Sequence, residues 1–232
     1  MTSVVEKPDE TGVRERYGGA ATGPSGLRPV VIGLIILAAA TGFFAWALTW
    51  KTGPARLDTR APLPAIAQVP EFSLIERSGE PVTNADLLGK VWIADFIFTR
   101  CGGPCPELSA RMRSLQYAFA DSPDVRLVSI CLDPQNDTPA ALQHYAKRFQ
   151  ADGDRWWFLT GTDDKYVHAL VEKGFLQSVV PATGESPLLH STYVVIVDRQ
   201  GRIRAAHNGL DAGMQDAVLR DVNKLLAEPS GS

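Results

Sequence analysis

The chain has 232 residues and a formal net charge of −3, with 23 basic and 26 acidic side chains. Hydrophobic residues make up 45% and charged residues 21% of the sequence, which is typical of a globular protein and excludes collagen-like, coiled-coil or wholly disordered chains. The near-neutral charge argues against nucleic acid as a partner. Three cysteines are too few for a small secreted domain held together by disulfides.

The N-terminal segments predict a membrane-anchored protein. Residues 1–28 are polar and rich in Gly, Pro and Thr, which predicts a disordered tail. Residues 29–50 are predicted to form a transmembrane helix, because the 21 residues from Val30 to Trp50 carry no charge and would span about 30 Å. The alternative is a cleaved signal peptide, since Ala45-Trp46-Ala47 is a small-x-small triplet. Residues 51–66 contain three prolines and predict a stiff linker.

Strand and helix patterns alternate through residues 67–228, which we interpret as one folded domain followed by a tail at 229–232. The apolar run 91–98 is typical of a central strand buried on both faces. The predicted strands lie at 72–75, 91–98, 125–131, 156–159, 192–197 and 203–206. The predicted helices lie at 84–88, 106–119, 137–149, 163–174 and 211–227. This order predicts an α/β fold with a central mixed sheet flanked by helices.

Cys101 and Cys105 follow the most apolar strand and lead into a predicted helix. Their spacing of four residues places both sulfurs on one helical face, and the helix N-terminus is expected to lower their pKa values. Two converging thiolates can form a disulfide or hold a soft metal ion. The alternative, two buried small hydrophobes, is disfavoured by the Gly-Gly-Pro sequence between them, which predicts an exposed turn.

His190 is the third candidate, because it directly precedes a strand predicted to neighbour the cysteine strand and would meet the cysteine loop at one sheet edge. Two thiolates with one imidazole favour copper or zinc and exclude calcium and magnesium. A lone histidine is more often structural, so the residues alone leave this assignment open. His207 is the rival histidine ligand.

Three further residues accompany these candidates. Asp133 and Asp137 precede the helix that begins near Thr138, where they are interpreted as turn and capping residues, with support of the site or partner docking as the alternative. Asp137 or Thr138 is the expected N-cap. Cys131 ends a strand and is predicted to be a buried free thiol, with a third redox thiol as the alternative.

Three separated segments resemble the SCO/SenC family of copper-binding proteins, which take part in the synthesis of cytochrome c oxidase. Residues 96–106, FIFTRCGGPCP, are similar to the family motif F-T-x-C-P-x-x-C-P. Residues 129–139, SICLDPQNDTP, are similar to S-x-x-x-D-P-x-x-D-T-P. Residues 190–192, HST, with 197–201, VDRQG, are similar to D-H-[ST] followed by L-[IV]-D-x-x-G. The segments keep the family's order across residues 70–225.

The resemblance implies a thioredoxin-like domain that binds copper, as Cu(I) or Cu(II), through Cys101, Cys105 and His190. It also implies a metallochaperone that delivers copper to the cytochrome c oxidase subunit carrying the dinuclear copper centre, or that keeps the thiols of that centre reduced. In thioredoxins a cis-proline faces the cysteine pair, and His190 stands in that place. Copper delivery and disulfide chemistry suit an oxidising compartment, so we expect the domain on the periplasmic side of the inner membrane.

Two departures from the family motif keep other functions open. Gly102 replaces the first motif proline, and Leu189 replaces the aspartate before the histidine. The loop Cys-Gly-Gly-Pro-Cys is one glycine longer than the thioredoxin Cys-Gly-Pro-Cys. The alternative function is therefore a thiol–disulfide oxidoreductase in which Cys101 attacks and Cys105 resolves the mixed disulfide. A third hypothesis is a redox or copper sensor, which the sequence does not distinguish from the other two functions.

Overall fold

The computed structural model describes residues 27–51, 61–183 and 188–229. The described chain forms two compact units that divide at residue 59. The predicted tail at 1–28 lies outside the described residues apart from its last two positions. Most of the predicted linker, at 52–60, and residues 230–232 also lie outside them.

The first unit contains helix α1 (Leu27–Lys51), which covers the predicted helix at 29–50. The side chains described in this helix, from Val30 to Phe44 and at Trp46, are exposed. Within the described residues, no helix meets the combined requirements of length and apolarity for crossing a membrane.

The second unit is built on a mixed sheet of eight described strands in the order β1-β10-β9-β4-β5-β6-β2-β3. Strands β4, β5 and β6 are parallel, and the other neighbours are antiparallel. A separate two-stranded sheet joins β7 to β8. The strands are β1 (Ala67–Gln68), β2 (Ser73–Glu76), β3 (Pro81–Thr83), β4 (Val91–Ile97), β5 (Val125–Cys131), β6 (Trp156–Thr160), β7 (Val179–Val180), β8 (Leu189–His190), β9 (Tyr193–Val197) and β10 (Arg202–Asn208). This architecture confirms the predicted α/β class.

The described helices of this unit follow the predicted positions closely. They are a 3-10 helix (Asn84–Leu87), α2 (Cys105–Ala118), α3 (Pro139–Arg148), α4 (Asp164–Ala169) and α5 (Met214–Ala227). The helix predicted over 163–174 is interrupted, because α4 ends at Ala169 and the chain continues as a π-helical turn, Leu170–Gly174. The short strands β1, β3, β7 and β8 were not predicted.

Capping residues explain two of the helix starts. The Thr138 hydroxyl accepts a hydrogen bond from the Ala141 N–H at 3.3 Å, and Pro139 follows at the first helical position, as is typical of helix N-termini. Thr138 is therefore the N-cap of α3, and Asp137 is not. Before the 3-10 helix, the Asp86 carboxylate accepts hydrogen bonds from the Thr83 N–H and hydroxyl. The cap of this helix is Thr83.

The core lies on both faces of the sheet, which explains why every residue of β4 except Asp95 is apolar. Ile93 and Ile97 belong to the cluster covered by α2, α3 and α5, whereas Trp92 and Phe96 belong to the cluster on the other face. Alternate side chains of a strand point to opposite faces, so a strand covered on both sides is apolar at successive positions and not only at alternate ones.

The sheet topology brings the candidate residues to one edge. Strand β9 runs antiparallel to β4, with Trp92 opposite Val197, so the start of β9 lies beside the end of β4. The cysteine loop after β4 and the segment before β9 therefore meet. Strand β1 pairs with the other end of β10, where Ala67 lies opposite Ile203. The chain thus enters this unit at the edge opposite the cysteine loop.

Candidate metal centre

The two cysteines flank a short loop at the carboxyl end of β4. The Cys101 N–H donates to the Phe98 carbonyl at 3.1 Å, which turns the chain out of the strand. Gly102 and Gly103 are exposed and Cys101 is partly buried, whereas Cys105 is fully buried as the first residue of α2. Neither sulfur forms a disulfide within the described residues. The exposed turn is confirmed, but only one of its two thiols is accessible.

His190 reaches this loop from strand β8. Its Nε2 lies 3.4 Å from the Cys105 sulfur, and its Nδ1 lies 2.8 Å from the Ser191 carbonyl oxygen. A carbonyl can only accept, so Nδ1 carries the proton and the lone pair of Nε2 faces the sulfur. Burial lowers the pKa of His190, although the bond to Ser191 opposes this effect. In the neutral imidazole Nε2 therefore carries no proton, which is the state that binds metals.

A cavity of about 350 Å³ opens between the cysteine loop and the histidine segment. Cys101 and Phe98 lie on one side of it, and Leu189 and His190 lie on the other. The Phe98 ring meets the imidazole edge-on, with 5.8 Å between ring centroids. The cavity gives a ligand or a partner side chain access to both Cys101 and His190.

The distance between Cys105 and His190 fits a shared metal ion. With bond lengths of about 2.3 Å to sulfur and 2.0 Å to nitrogen, two donors of one tetrahedral ion stand about 3.5 Å apart, close to the observed 3.4 Å. Among the described residues, no group of three His, Cys, Asp or Glu side chains is already arranged to hold a metal ion. Coordination by Cys101 as a third donor would therefore require the loop that carries it to move.

Burial dominates the ionisation of Cys105. It raises the pKa of this thiol, and the neighbouring Cys101 thiol raises it further, while a hydrogen bond with the Phe98 backbone acts in the opposite direction. The expectation of a lowered pKa at the helix N-terminus is wrong for Cys105, because the cost of desolvating a thiolate exceeds the stabilisation at the helix end. A metal ion that binds here must displace the thiol proton.

Asp137 anchors the cysteine loop. Its carboxylate is fully buried and accepts the Thr99 N–H at 3.1 Å and the Thr99 hydroxyl at 2.5 Å. Burial raises the pKa of Asp137 to about 6, and the two bonds from Thr99 oppose that rise. Thr99 lies two residues before Cys101, so Asp137 ties the β5–α3 loop to the cysteine loop rather than capping α3.

Asp133 makes a weaker connection between the same two loops. It accepts a bond from Arg100 at 2.9 Å, and the Arg100 side chain is 64% exposed. It also accepts a bond from the Asn136 side chain at 2.8 Å. Asp133 therefore serves both its own turn and the residue that precedes Cys101.

The other predicted candidates lie apart from the cavity. His207 Nε2 pairs with the Asp221 carboxylate of α5 at 2.8 Å, and His207 does not line the cavity. Cys131 is fully buried opposite Ile97, and burial raises the pKa of its thiol. The prediction of a buried free thiol is confirmed.

The sequence analysis missed Asp95, a fully buried carboxylate in the central strand. One of its oxygens accepts the Ser129 hydroxyl at 2.5 Å, and the Trp156 indole N–H donates to that hydroxyl oxygen at 2.8 Å. The other oxygen has no partner among the described residues. Burial raises the pKa of Asp95 to about 7. The signal that could have revealed it is the single charged residue in the apolar run VWIADFIF.

Comparisons with known proteins identify the family. The sequence model of the family described as SCO1/SenC matches residues 61–227. The SCO1 protein homolog of Bacillus subtilis is 33% identical over 156 residues, which cover 67% of this chain and 81% of the relative. A Stutzerimonas stutzeri protein named for copper binding is 29% identical over 147 residues, which cover 61% of this chain and 70% of that protein.

A solved structure extends the comparison to the fold. BsSco, described as a member of the Sco family of cytochrome c oxidase assembly proteins with a disulfide switch, superposes with a TM-score of 0.65 at 30% identity. The match covers 73% of this chain and 99% of BsSco. The sheet and helices of the second unit are therefore those of the thioredoxin-like Sco fold.

Proposed function

The chain belongs to the SCO1/SenC family, and from this premise we propose that it is a copper metallochaperone for the dinuclear copper centre of cytochrome c oxidase. Copper is the cargo, and Cys101, Cys105 and His190 are its ligands. The observation that carries the proposal is the 3.4 Å approach of the Cys105 sulfur to Nε2 of His190, beside a cavity that Cys101 also lines.

The donor set suits copper in transit. Thiolates and imidazole favour copper or zinc over hard cations, and a structural zinc site would normally have four protein ligands. Three donors leave a position through which an incoming ligand can attack. Copper replaces the Cys105 proton on binding, and the neutral imidazole of His190 needs no deprotonation.

The unequal burial of the two cysteines sets the order in which the ligands release copper. Cys105 is held inside the fold, whereas Cys101 and His190 line the cavity, with Cys101 next to the exposed Gly102 and Gly103. A thiolate of the recipient subunit reaches copper from the cavity side and exchanges with Cys101 first. Cys105 and His190 then release the ion.

The membrane anchor and the compartment are part of the same proposal. The support for an anchor is the uncharged sequence from Val30 to Trp50 within α1. The support for the periplasmic side of the inner membrane is the cysteine chemistry, which a reducing cytosol would not favour. Alkaline extraction of membranes should leave the protein in the pellet, and added protease should digest residues 61–229 in spheroplasts. Release by alkali or protection from protease would contradict this assignment.

A second function is favoured by the free thiols. Cys101 and Cys105 are unpaired neighbours, and Cys101 faces the cavity, so the pair can exchange with a disulfide of the recipient site. A disulfide switch is described for BsSco. Reduction of the recipient thiols before copper enters is compatible with delivery by the same protein.

A Cu(I) titration tests the main proposal. Reduced full-length protein is titrated anaerobically against a competing chromophoric ligand, together with Cys105→Ser, His190→Ala and the control His144→Ala, whose side chain is exposed. We expect one tightly bound equivalent, loss of that binding in Cys105→Ser and affinity about 10- to 100-fold lower in His190→Ala. Equal binding by wild type and Cys105→Ser would refute the proposed site. Absence of binding by wild type would leave the oxidoreductase function.

A further inference from the structure

The orientation of His190 depends on its neighbour in the chain. The imidazole Nδ1 donates to the Ser191 carbonyl at 2.8 Å, and this bond determines both the tautomer and the direction of Nε2. Leu189, on the other side of His190, has no polar side-chain group that could share this task. The position of the Ser191 peptide therefore decides whether Nε2 faces the Cys105 sulfur.

Ser191 is held by two hydrogen bonds to a segment that precedes β7. Its hydroxyl donates to the Gln177 side-chain oxygen at 2.6 Å, and its N–H donates to the Ser178 carbonyl at 3.0 Å. Gln177 and Ser191 are separated by 14 positions. The pairing of Val179 with His190 continues the same connection.

Gln177 is itself held in place by the π-helical turn that the periodicity did not predict. Its N–H donates to the Val171 carbonyl at 3.1 Å, and its side-chain amide donates to the Phe175 carbonyl at 3.0 Å. Leu176, which lies between Phe175 and Gln177, has a φ of 58°. This left-handed backbone conformation is energetically costly for leucine. Single π turns of this kind occur frequently at functional sites.

The residue that ends the π-helical turn packs against β4, the strand that precedes the cysteine loop. Phe175 is buried, and its ring meets the β4 rings of Trp92 and Phe96 with centroid distances of 5.8 and 5.3 Å. A continuous set of contacts therefore runs from the core beneath β4 through the π turn to Gln177 and Ser191. It positions the imidazole relative to the same strand that positions Cys105.

We infer that Gln177 and Ser191 are positioning residues that set the Nδ1–H tautomer of His190 and aim Nε2 at the metal site. The effect on copper rests on the proposed function, whereas the effect on the imidazole does not. Neither side chain contacts the ion. They hold the imidazole in one orientation before copper binds, so the side chain loses less conformational entropy on binding.

The test combines two measurements on the full-length protein. Nitrogen-15 NMR of labelled histidine in the metal-free protein at pH 8 reports the tautomer of His190. Cu(I) competition then reports affinity. The variants are Ser191→Ala and Gln177→Ala, with Ser191→Thr to retain the hydroxyl and Gln143→Ala as a control on an exposed glutamine.

We expect wild type, Ser191→Thr and Gln143→Ala to show the Nδ1–H tautomer, and Ser191→Ala and Gln177→Ala to show a mixture. Cu(I) affinity should fall about 10-fold in the two deletion variants and stay within about 2-fold in the others. An unchanged tautomer in both deletion variants would overturn the inference, as would a mixture in folded Ser191→Thr. If wild type binds no copper, the proposed function fails, and the NMR result still decides this inference.

Discussion

The buried carboxylate of Asp137 accepts both the N–H and the hydroxyl of Thr99, although the two residues lie 38 positions apart. This contact joins the β5–α3 loop to the cysteine loop and restricts the backbone two residues before Cys101. Support of this kind around a metal site commonly changes affinity by 10- to 100-fold without any contact to the ion.

Asp137→Asn should weaken Cu(I) binding about 10-fold, because an amide has one acceptor oxygen for the two donors of Thr99. The matched variant Asp133→Asn loses an ion pair with an exposed arginine, which is worth less than about 1 kcal/mol, and should change affinity far less. Competition titrations of both variants measure the difference. Equal effects would show that Thr99 is not the important partner.

The free energy of unfolding should depend on pH through the ionisation of Asp95 and Asp137. Burial raises their pKa values to about 7 and about 6, from the ordinary aspartate value of 3.8. Between pH 4 and 7 the folded state therefore holds protons that the unfolded state has released. The free energy of unfolding therefore falls as pH rises through this range. Asp95 accounts for at most about 4 kcal/mol of this decrease.

Asp95→Asn should remove most of this dependence. The free energy of unfolding is measured by chemical denaturation at intervals from pH 4 to 8 in wild type, Asp95→Asn and the control Asp124→Asn, whose side chain is 56% exposed. We expect the advantage of wild type over Asp95→Asn to shrink as pH rises. A difference that does not vary with pH would contradict the raised pKa of Asp95.

Cys131 should be structural and not part of the redox or metal chemistry. It is fully buried in the core at the end of β5. Cys131→Ala should leave copper stoichiometry unchanged and cost about 1–2 kcal/mol of stability through lost packing. Alkylation of the native reduced protein, followed by mass spectrometry, should modify Cys101 first. Early modification of Cys131 would revive the alternative of a third redox thiol.

Two glycines that follow β10, Gly209 and Gly213, should respond differently to substitution by alanine. A Cβ at Gly209 would collide with the Leu108 side chain and lie 2.6 Å from the Thr192 carbonyl, whereas a Cβ at Gly213 meets nothing within 4 Å. Gly209→Ala should therefore cost about 1–3 kcal/mol, and Gly213→Ala should cost little. Thermal unfolding of the two variants measures this difference. Similar melting temperatures would mean that the segment around Thr192 can move aside.

The elements that could be predicted are those whose signals are local. The span of β5 is predicted at its observed bounds, 125–131, because five of its seven residues are apolar. The start of α3 follows from Thr138 and Pro139, which cap and preorganise a helix within one turn. The strands β7 and β8 have two residues each, which is too short for any periodicity to indicate them.

By itself, the sequence determined the α/β class, the cysteine pair and the candidate histidine, because apolar runs and motif residues are properties of neighbouring positions. Only the tertiary structure decided that His190 meets Cys105 across 85 positions and that Asp137 serves Thr99. It also reversed the expected pKa shift of Cys105, because burial depends on which distant segments cover a residue. Contacts between remote segments and the desolvation that they cause arise only when the chain folds, so no local pattern records them.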